Sequence, residues 1–220
     1  MKPVLIYCYD AYCGWCYGFS PVIKKIAAQY KDIVEIEVLS GGMMIGDQVM
    51  PIEKIGPYIQ NAYQRVEELT GVKFGEDFLW HTANPDKSDW ILNSEKPAIA
   101  LCILKDFDIN SQLAFAADLQ YALNFEGRDL DDDEAYRHLL DKYHIPADEF
   151  YSKLKSEEYK EKAHYEFALC KQLQVEGFPQ VVLQTDETKF YLLSKGYTDY
   201  ETLNNRIQSI LAEIATPLYT

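Results

Sequence analysis

Positive charge is scarce in this chain. Lys and Arg number 21 against 35 Asp and Glu, for a formal net charge of −14. No segment gathers a basic stripe, which excludes nucleic acid as a partner. Acidity of this size favours solubility and repels anionic partners, and it carries no information about fold. Long hydrophobic runs are also missing: nowhere do about 18 uncharged apolar residues follow one another, so no membrane partner is expected. The apolar run near the N-terminus, Val4–Tyr9, is too short for a signal-peptide core and no small-residue cleavage site follows it. With Met1 as the natural start, the expected location is cytoplasmic. Cysteine is sparse and odd in number: Cys8, Cys13, Cys16, Cys102 and Cys170. A disulfide framework would be denser and more often even, so free thiols with one functional close pair are expected. Internal repeats and low-complexity tracts are absent too.

What is present suits one large domain, or a small domain carrying a sizeable insertion, because 220 residues with 48% apolar content supply ample core. Val4–Tyr9, apolar and bounded by Pro3 and Asp10, reads as a strand buried on both faces. A helical pattern runs from about Gly14 to Tyr30 with Pro21 inside it, a kink position. Val34–Leu39 alternates apolar with acidic residues, a second strand with one wet face. Strand, helix, strand is the crossover unit of an α/β sheet. From about Pro51 to Gln174 the periodicity becomes helical. Ile52, Ile55, Ile59, Ala62, Val66 and Leu69 mark one amphipathic helix closed by Gly71. Further helices are expected near 98–105, 111–124, 133–143, 148–154 and 157–173, the last capped by Ser156. Residues 75–94 read as irregular. After Gly177 come two short strands, 180–184 and 190–194, joined as a hairpin, then a helix near 200–214. The pattern is βαβ, a helical insert, then αββα.

The chemistry gathers at Cys13 and Cys16, two cysteines at Cys-x-x-Cys spacing between a buried strand and a helix. At the first turn of a helix the N-terminal thiol projects outward and the second lies beneath it. The helix N–H groups and macrodipole then favour the thiolate of the outer cysteine, lowering its pKa from about 8.5. Cys13 would attack a partner's disulfide and Cys16 would resolve the mixed disulfide. A zinc site would need a second ligand pair. Cys102 and Cys170 are far apart in sequence, and His81, His138, His144 and His164 show no zinc-type spacing with them. Haem attachment needs His where Tyr17 stands. The bland alternative, two core thiols on a helix, is disfavoured by the position at the head of a βαβ unit.

The segment from Tyr9 to Pro21 resembles the intracellular DsbA-like proteins of the thioredoxin superfamily, whose motif is Cys-x-Trp-Cys after an aspartate. Gly41-Gly42-Met43, and Thr70-Gly71 followed by Phe74, are similar to features of the same subfamily, and Pro21 matches the kink proline of thioredoxin's active-site helix. A second match is Gly177-Phe178-Pro179, where thioredoxin-like folds carry a cis proline packed beside the cysteine pair. The plain alternative is a trans proline opening a strand. The resemblance implies an α/β protein: a thioredoxin fold (βαβ…αββα) interrupted by a helical insertion domain. Residues 1–42 and 160–220 would form the thioredoxin-like domain and 43–159 the insertion.

The implied activity is thiol–disulfide exchange, of reductase or isomerase type, on protein or peptide substrates. Cys13 and Cys16 are catalytic, and Trp15, Phe178 and Pro179 meet substrate. The backbone before Pro179 would pair with an extended substrate segment, and Trp15 either stands over the site or packs against the insert. Asp10 is a candidate for proton transfer to Cys16, or else it ends the strand and caps the turn. Glu35 and Glu37 read as solvent-facing, and Cys8, Cys102 and Cys170 as inert small hydrophobes. No separate cofactor and no metal are implied, since the dithiol itself is the redox group; glutathione could serve as co-substrate. The partners are protein or peptide thiols and disulfides, plus an unidentified redox partner that recycles the pair. Two departures stand out. Gly14-Trp15 between the cysteines carries neither the His of DsbA-type pairs nor the Pro of thioredoxin, which leaves the redox poise open. Phe178 is bulkier than the Val or Thr common before the proline and would narrow the groove. Two other functions compete: a glutathione-dependent transferase or isomerase of the kappa or hydroxychromene-carboxylate type, which places Ser at the first cysteine, and a non-catalytic binding module on the same fold.

Overall fold

The first strand, β1, spans Val4–Tyr9 and is buried from Leu5 onward. A computed structural model of the chain describes residues 2–215, so Met1 and residues 216–220 of the expected 160–220 segment lie outside it. Cys13 caps the following helix α1 (Gly14–Tyr30), which runs on through Pro21 and buries Phe19, Ile23, Ile26 and Tyr30. Those residues recur at helical spacing on the face turned to the sheet. Phe19 is fully buried, worth roughly 2–3 kcal/mol of apolar transfer. Strand β2 (Glu35–Ser40) then pairs parallel with β1, Val4 opposite Glu35 and Tyr9 opposite Ser40. The wet face expected for this strand exists only at its start. Glu35 is exposed, whereas Val38, Leu39 and Ser40 are buried under the helices Gln112–Asn124 and Glu157–Gln172.

The chain next passes through a short two-stranded sheet and a run of helices. Strand β3 (Met50–Pro51) pairs with a later strand β4 (Ile91–Leu92). Helices α2 (Gly56–Thr70) and α3 (Glu76–Ala83) lie between them, and α4 (Glu95–Phe107) and α5 (Gln112–Asn124) follow. Then come α6 (Arg137–Lys142), α7 (Ala147–Leu154) and α8 (Glu157–Gln172). Strands β5 (Gln180–Gln184) and β6 (Phe190–Lys195) form the hairpin and α9 (Tyr200–Ala215) closes the described chain.

Three expectations are corrected. Ile52 belongs to a separate 3-10 turn, Ile52–Lys54, and α2 starts only at Gly56, with Pro57 in its first turn, where a missing N–H costs no helical bond; Leu69 faces solvent, 43% exposed. Residues 75–94 hold α3, whose first turn carries Glu76 and Asp77 and whose Phe78 and Thr82, one turn apart, are buried. The helix expected over 133–143 splits into a 3-10 turn, Asp133–Tyr136, and α6. There the Asp132 carboxylate accepts from the N–H of Glu134 at 3.0 Å and tightens the start.

The main sheet has the order β2-β1-β5-β6, with β5 antiparallel to both neighbours. Alternation along β1 sends Leu5, Tyr7 and Tyr9 into the core with Phe19 and Ile23 of α1 and Leu203 and Ile207 of α9. Ile6 and Cys8 turn to the other face, against Cys170 of α8. The open edge of β2 is covered by side chains of the insertion. The Gln112 amide donates to Ile36 O at 2.9 Å and accepts from Val38 N at 2.8 Å, as a neighbouring strand would. Lys105 Nζ adds a bond to Val38 O at 2.5 Å.

Candidate active site

Cys13 stands at the junction of β1 and α1 in extended backbone, φ −82° and ψ 105°, and its sulfur accepts from the Cys16 N–H at 3.2 Å. A helix N-terminus leaves its first N–H groups without carbonyl partners, so a negative charge placed there is stabilised. As a thiol, Cys13 also donates to the carbonyl of Phe178 at 3.6 Å. Cys16, one turn inside α1, is fully buried. Burial, and then the Cys13 sulfur beside it, hold its thiol well above the ordinary cysteine value, and the Asp10 N–H opposes them. The two thiols are thus placed unequally, one at a helix end and one beneath it, both as free thiols.

Asp10 organises the turn that leads into this pair. Its Oδ1 accepts from Tyr12 N at 3.0 Å and from Ser94 Oγ at 2.9 Å, and its Oδ2 from Met43 N at 2.7 Å. Its backbone carbonyl accepts from Cys13 N at 3.1 Å and from the Gln120 amide at 3.2 Å. One buried carboxyl therefore ties together the strand end, the Gly42–Met43 loop and the insertion. Burial pushes its pKa up, and the hydrogen bonds from Met43, Tyr12, Ser94 and Gly42 counter only part of that rise. The cap-and-turn role expected of Asp10 is visible in this geometry.

Opposite Cys13, the Phe178–Pro179 peptide is cis. The Phe178 ring lies over Gly41 so closely that a Cβ there would stand 2.0 Å from ring carbons. Glycine at this position is what lets the ring seat beside the cysteine.

A cavity of about 220 Å³ opens beside Cys13 and is lined from both parts of the fold, by Tyr12, Trp15 and Phe178 on one side and Met43, Ile59 and Phe74 on the other. None of the described residues lining it carries a formal charge. Phe74 anchors the wall, meeting Tyr17 edge-on at 5.3 Å and stacking with Phe78 at 5.7 Å between ring centres. Trp15 lines the cavity beside Cys13 together with Ile59 and Phe74 of the insertion, and its ring also packs on Tyr197 at 6.2 Å, in the connection between β6 and α9.

The remaining singled-out residues fall elsewhere. Glu37 pairs with Lys105 at 2.7 Å, and Lys105 also holds the buried Glu166 at 2.7 Å; Glu35 is exposed. Neither glutamate is a leading influence on the Cys16 thiol. Glu37 keeps part of its side chain in solvent, 36% exposed, and meets Lys105 of α4 on its other side. Cys8, Cys102 and Cys170 are all buried. Cys102 meets the Glu166 carboxylate at 3.5 Å. Cys170 meets the Cys8 thiol and the Ser40 carbonyl, the latter at 3.6 Å. Sequence reasoning missed Ser94 and Gln120, 84 and 110 residues from Asp10. No local pattern marks them, because each acts through one side-chain contact made only after folding. Tyr12 and Met43 lay inside segments already singled out and could have been found there.

A buried strand leading to a Cys-x-x-Cys at a helix N-terminus, faced by a cis proline, defines a thioredoxin-type dithiol site. The chain belongs to the family of the DSBA-like thioredoxin domain, whose model matches residues 4–208. Among solved structures it is similar to a candidate protein disulfide isomerase from Nitrosomonas europaea, with a TM-score of 0.84, 25% identity, and coverage of 97% of this chain and 99% of that one. It also resembles the cytosolic disulfide reductase DsbM from Pseudomonas aeruginosa, with a TM-score of 0.76, 23% identity, and coverage of 97% and 100%. A 2-hydroxychromene-2-carboxylate isomerase aligns with a TM-score of 0.61, 14% identity, and coverage of 96% and 94%. The last two likenesses speak for the fold alone. No curated protein matches.

Proposed function

We propose that this chain catalyses thiol–disulfide exchange on protein or peptide substrates, as a reductase or isomerase, with Cys13 attacking and Cys16 resolving. The observation that carries this reading is the seat of Cys13. Its sulfur faces the N–H of Cys16 at 3.2 Å, lies 3.6 Å from the Phe178 carbonyl, and borders an uncharged cavity. An incoming thiolate charge is met by the helix end. An extended substrate segment pairs with the backbone at Phe178, and an apolar side chain beside the substrate's half-cystine fills the cavity. Cys13 displaces one substrate sulfur as thiolate. Cys16 then attacks the Cys13 sulfur, releases the second substrate sulfur, and leaves the Cys13–Cys16 disulfide for a redox partner, or glutathione, to reduce.

The compartment we propose is the cytoplasm. There, at a poise of about −220 to −320 mV, the pair is mostly reduced, which favours reduction or isomerisation over net oxidation. Cys13 stands where kappa-type and hydroxychromene-carboxylate isomerases place Ser, which weighs against the glutathione-transferase reading. The test is turnover of a peptide disulfide with an apolar residue beside its cysteine. Cys13→Ala abolishes it, and Cys16→Ala accumulates a covalent mixed disulfide visible by intact mass. Full activity in the Cys13 variant would sink the mechanism.

A further inference from the structure

One side chain of the insertion reaches the main chain of both reactive cysteines, and the mechanism above does not use it. Gln120, on α5, is fully buried where that helix packs on α1. Its Nε2 donates to the Asp10 carbonyl at 3.2 Å, the same carbonyl that accepts from Cys13 N at 3.1 Å. Its Oε1 accepts from the Ser20 hydroxyl at 2.9 Å. Ser20 Oγ in turn lies 3.2 Å from the Cys16 carbonyl, one turn back along α1. A carbonyl can only accept, so the amide has a single orientation, with its NH2 toward Asp10 and its oxygen toward Ser20. The one Ser20 proton is shared between two oxygens. Each such bond contributes only about 1 kcal/mol net, and an apolar residue of the same shape would fill the space nearly as well. What the amide adds is direction: it fixes the turn before Cys13 against the first turn of α1.

We propose that Gln120 is a positioning residue that braces the main chain of both cysteines and holds the resting pair in its dithiol form. The proposal rests on the dithiol reading and deepens it. The contacts that Cys13 makes through its sulfur belong to the reduced pair. The sulfur accepts from the Cys16 N–H at 3.2 Å, and the thiol proton goes to the Phe178 carbonyl at 3.6 Å. Oxidation by glutathione disulfide removes both. The Cys13 thiolate attacks one sulfur of the reagent and releases the first glutathione thiolate. The Cys16 thiolate then attacks Cys13 Sγ, the Cys13–Cys16 bond forms, and the second glutathione thiolate leaves. Two electrons pass from the cysteines to the reagent, and the two protons that the cysteines lose end on the two glutathione thiols. Cys13 then has no proton for Phe178, and its uncharged disulfide sulfur is a poorer acceptor than a thiolate. A turn held in the geometry of those two contacts therefore favours the dithiol. The brace acts on Cys13 through Asp10 and on Cys16 through Ser20, so releasing it lets the pair close more easily.

The experiment equilibrates the full chain at pH 7 with buffers of glutathione and glutathione disulfide. Acid quenching, alkylation in denaturant and intact mass then count the thiols. The dithiol form carries all five cysteines as thiols, and the disulfide form carries two fewer. Gln120→Met keeps the shape and loses both bonds. It should shift the equilibrium about tenfold toward the disulfide, which is about 30 mV for a two-electron couple. Ser20→Ala releases only the Cys16 half and should shift it about threefold the same way, less than one full hydrogen bond. Leu119→Ala, at a fully buried position beside Gln120 on α5, weakens the fold more than either and should stay within about twofold of the native chain. The assignment is overturned if Gln120→Met and Ser20→Ala both stay within about twofold, if either moves toward the dithiol, or if Leu119→Ala shifts as far as Gln120→Met. The dithiol reading then still stands. Should Gln120→Met fail to fold, Ser20→Ala decides alone. A native chain that forms no Cys13–Cys16 disulfide in any of the buffers overturns both.

Discussion

Two cysteine pairs lie in this molecule on opposite sides of β1, and they differ in what the exchange chemistry proposed above would require. Cys13 and Cys16 sit where α1 begins. Cys8 and Cys170 touch in the other layer of the core, between β1 and α8. Burial does not separate the pairs: Cys13 is 6% exposed, Cys16 and Cys8 are 0% and Cys170 is 2%. Their polar surroundings do. Both Cys13 and Cys170 meet a carbonyl at 3.6 Å, of Phe178 and of Ser40, but the Cys13 sulfur also accepts from an N–H at 3.2 Å. A donor favours the thiolate and an acceptor favours the thiol. Contact with Cys8, and then burial, push the Cys170 thiol far up. Access differs as well, since an apolar cavity reaches Cys13 while Cys8 and Cys170 are walled by Ile6, Leu39 and Val182. The two pairs thus differ in a helix end and a way in, which the proposed exchange would use.

The sharpest attempt to break this contrast is mutational. Replacing Cys13 with Ala should cut disulfide reduction by at least about 10³-fold, as loss of a nucleophile does. Cys8→Ala and Cys170→Ala should each stay within about twofold in the same assay. Comparable losses at all three positions would erase the distinction. A second test reads accessibility. Iodoacetamide should modify Cys13 in the native chain about a hundredfold faster than Cys8, Cys102 or Cys170, whose reaction requires local or global opening. Peptide mapping that finds Cys170 labelled first would reverse the picture.

Gly41→Ala tests whether the Phe178 ring shapes the open side. The new Cβ would stand 2.0 Å from the ring, so the ring must move. A loss of about 1–3 kcal/mol in denaturant unfolding is expected, with KM for a peptide disulfide raised more than kcat falls. Gly14→Ala is its control. There the Cβ meets Phe74 at an ordinary 3.6 Å, and both quantities should stay near the native values. On the closed side, Cys170→Ala should cost about 1 kcal/mol of unfolding free energy for the lost buried sulfur, with no change in turnover.

The smallest effect expected is a slope. Asp10 holds its proton to higher pH in the folded chain than unfolded, because burial raises its pKa. Between the ordinary aspartate value and its folded value, the native state binds a proton that the unfolded state has lost. Stability from this residue is therefore highest at the acid end and falls as pH rises through the folded value. Asn cannot titrate. The unfolding free energy of Asp10→Asn relative to the native chain should thus improve as pH rises across that window. Parallel stability curves would remove Asp10 as a titrating anchor.

Much of the fold was legible in local pattern. The run Val4–Tyr9, the helix from Gly14 to Tyr30 and the hairpin after Pro179 all stand where periodicity puts them, since each carries a continuous apolar face. The elements read poorly were the short or punctuated ones. Helix α3 spans only Glu76–Ala83, too few residues to show a period, and the split at Tyr136 depends on one Asx cap. At the site, Cys13, Cys16 and Pro179 were marked by motif, and Asp10 by its place three residues before Cys13. The anchoring of Asp10 by Ser94 and Gln120 was invisible, as was the way Gln112 and Lys105 finish the edge of β2. Each of these is a single polar side chain on a helix or, for Ser94, just before one, indistinguishable in sequence from a solvated one.

The sequence by itself determined that two cysteines would share the first turn of a helix behind a buried strand, because spacing and periodicity are properties of the local chain. Tertiary structure decided which distant carbonyls the thiols meet, Phe178 for Cys13 and Ser40 for Cys170. It set the Phe178 ring over Gly41 and enclosed an uncharged cavity beside Cys13 with residues of the insertion. Those outcomes depend on which distant side chains meet when the layers pack, and no local rule of pattern encodes such meetings.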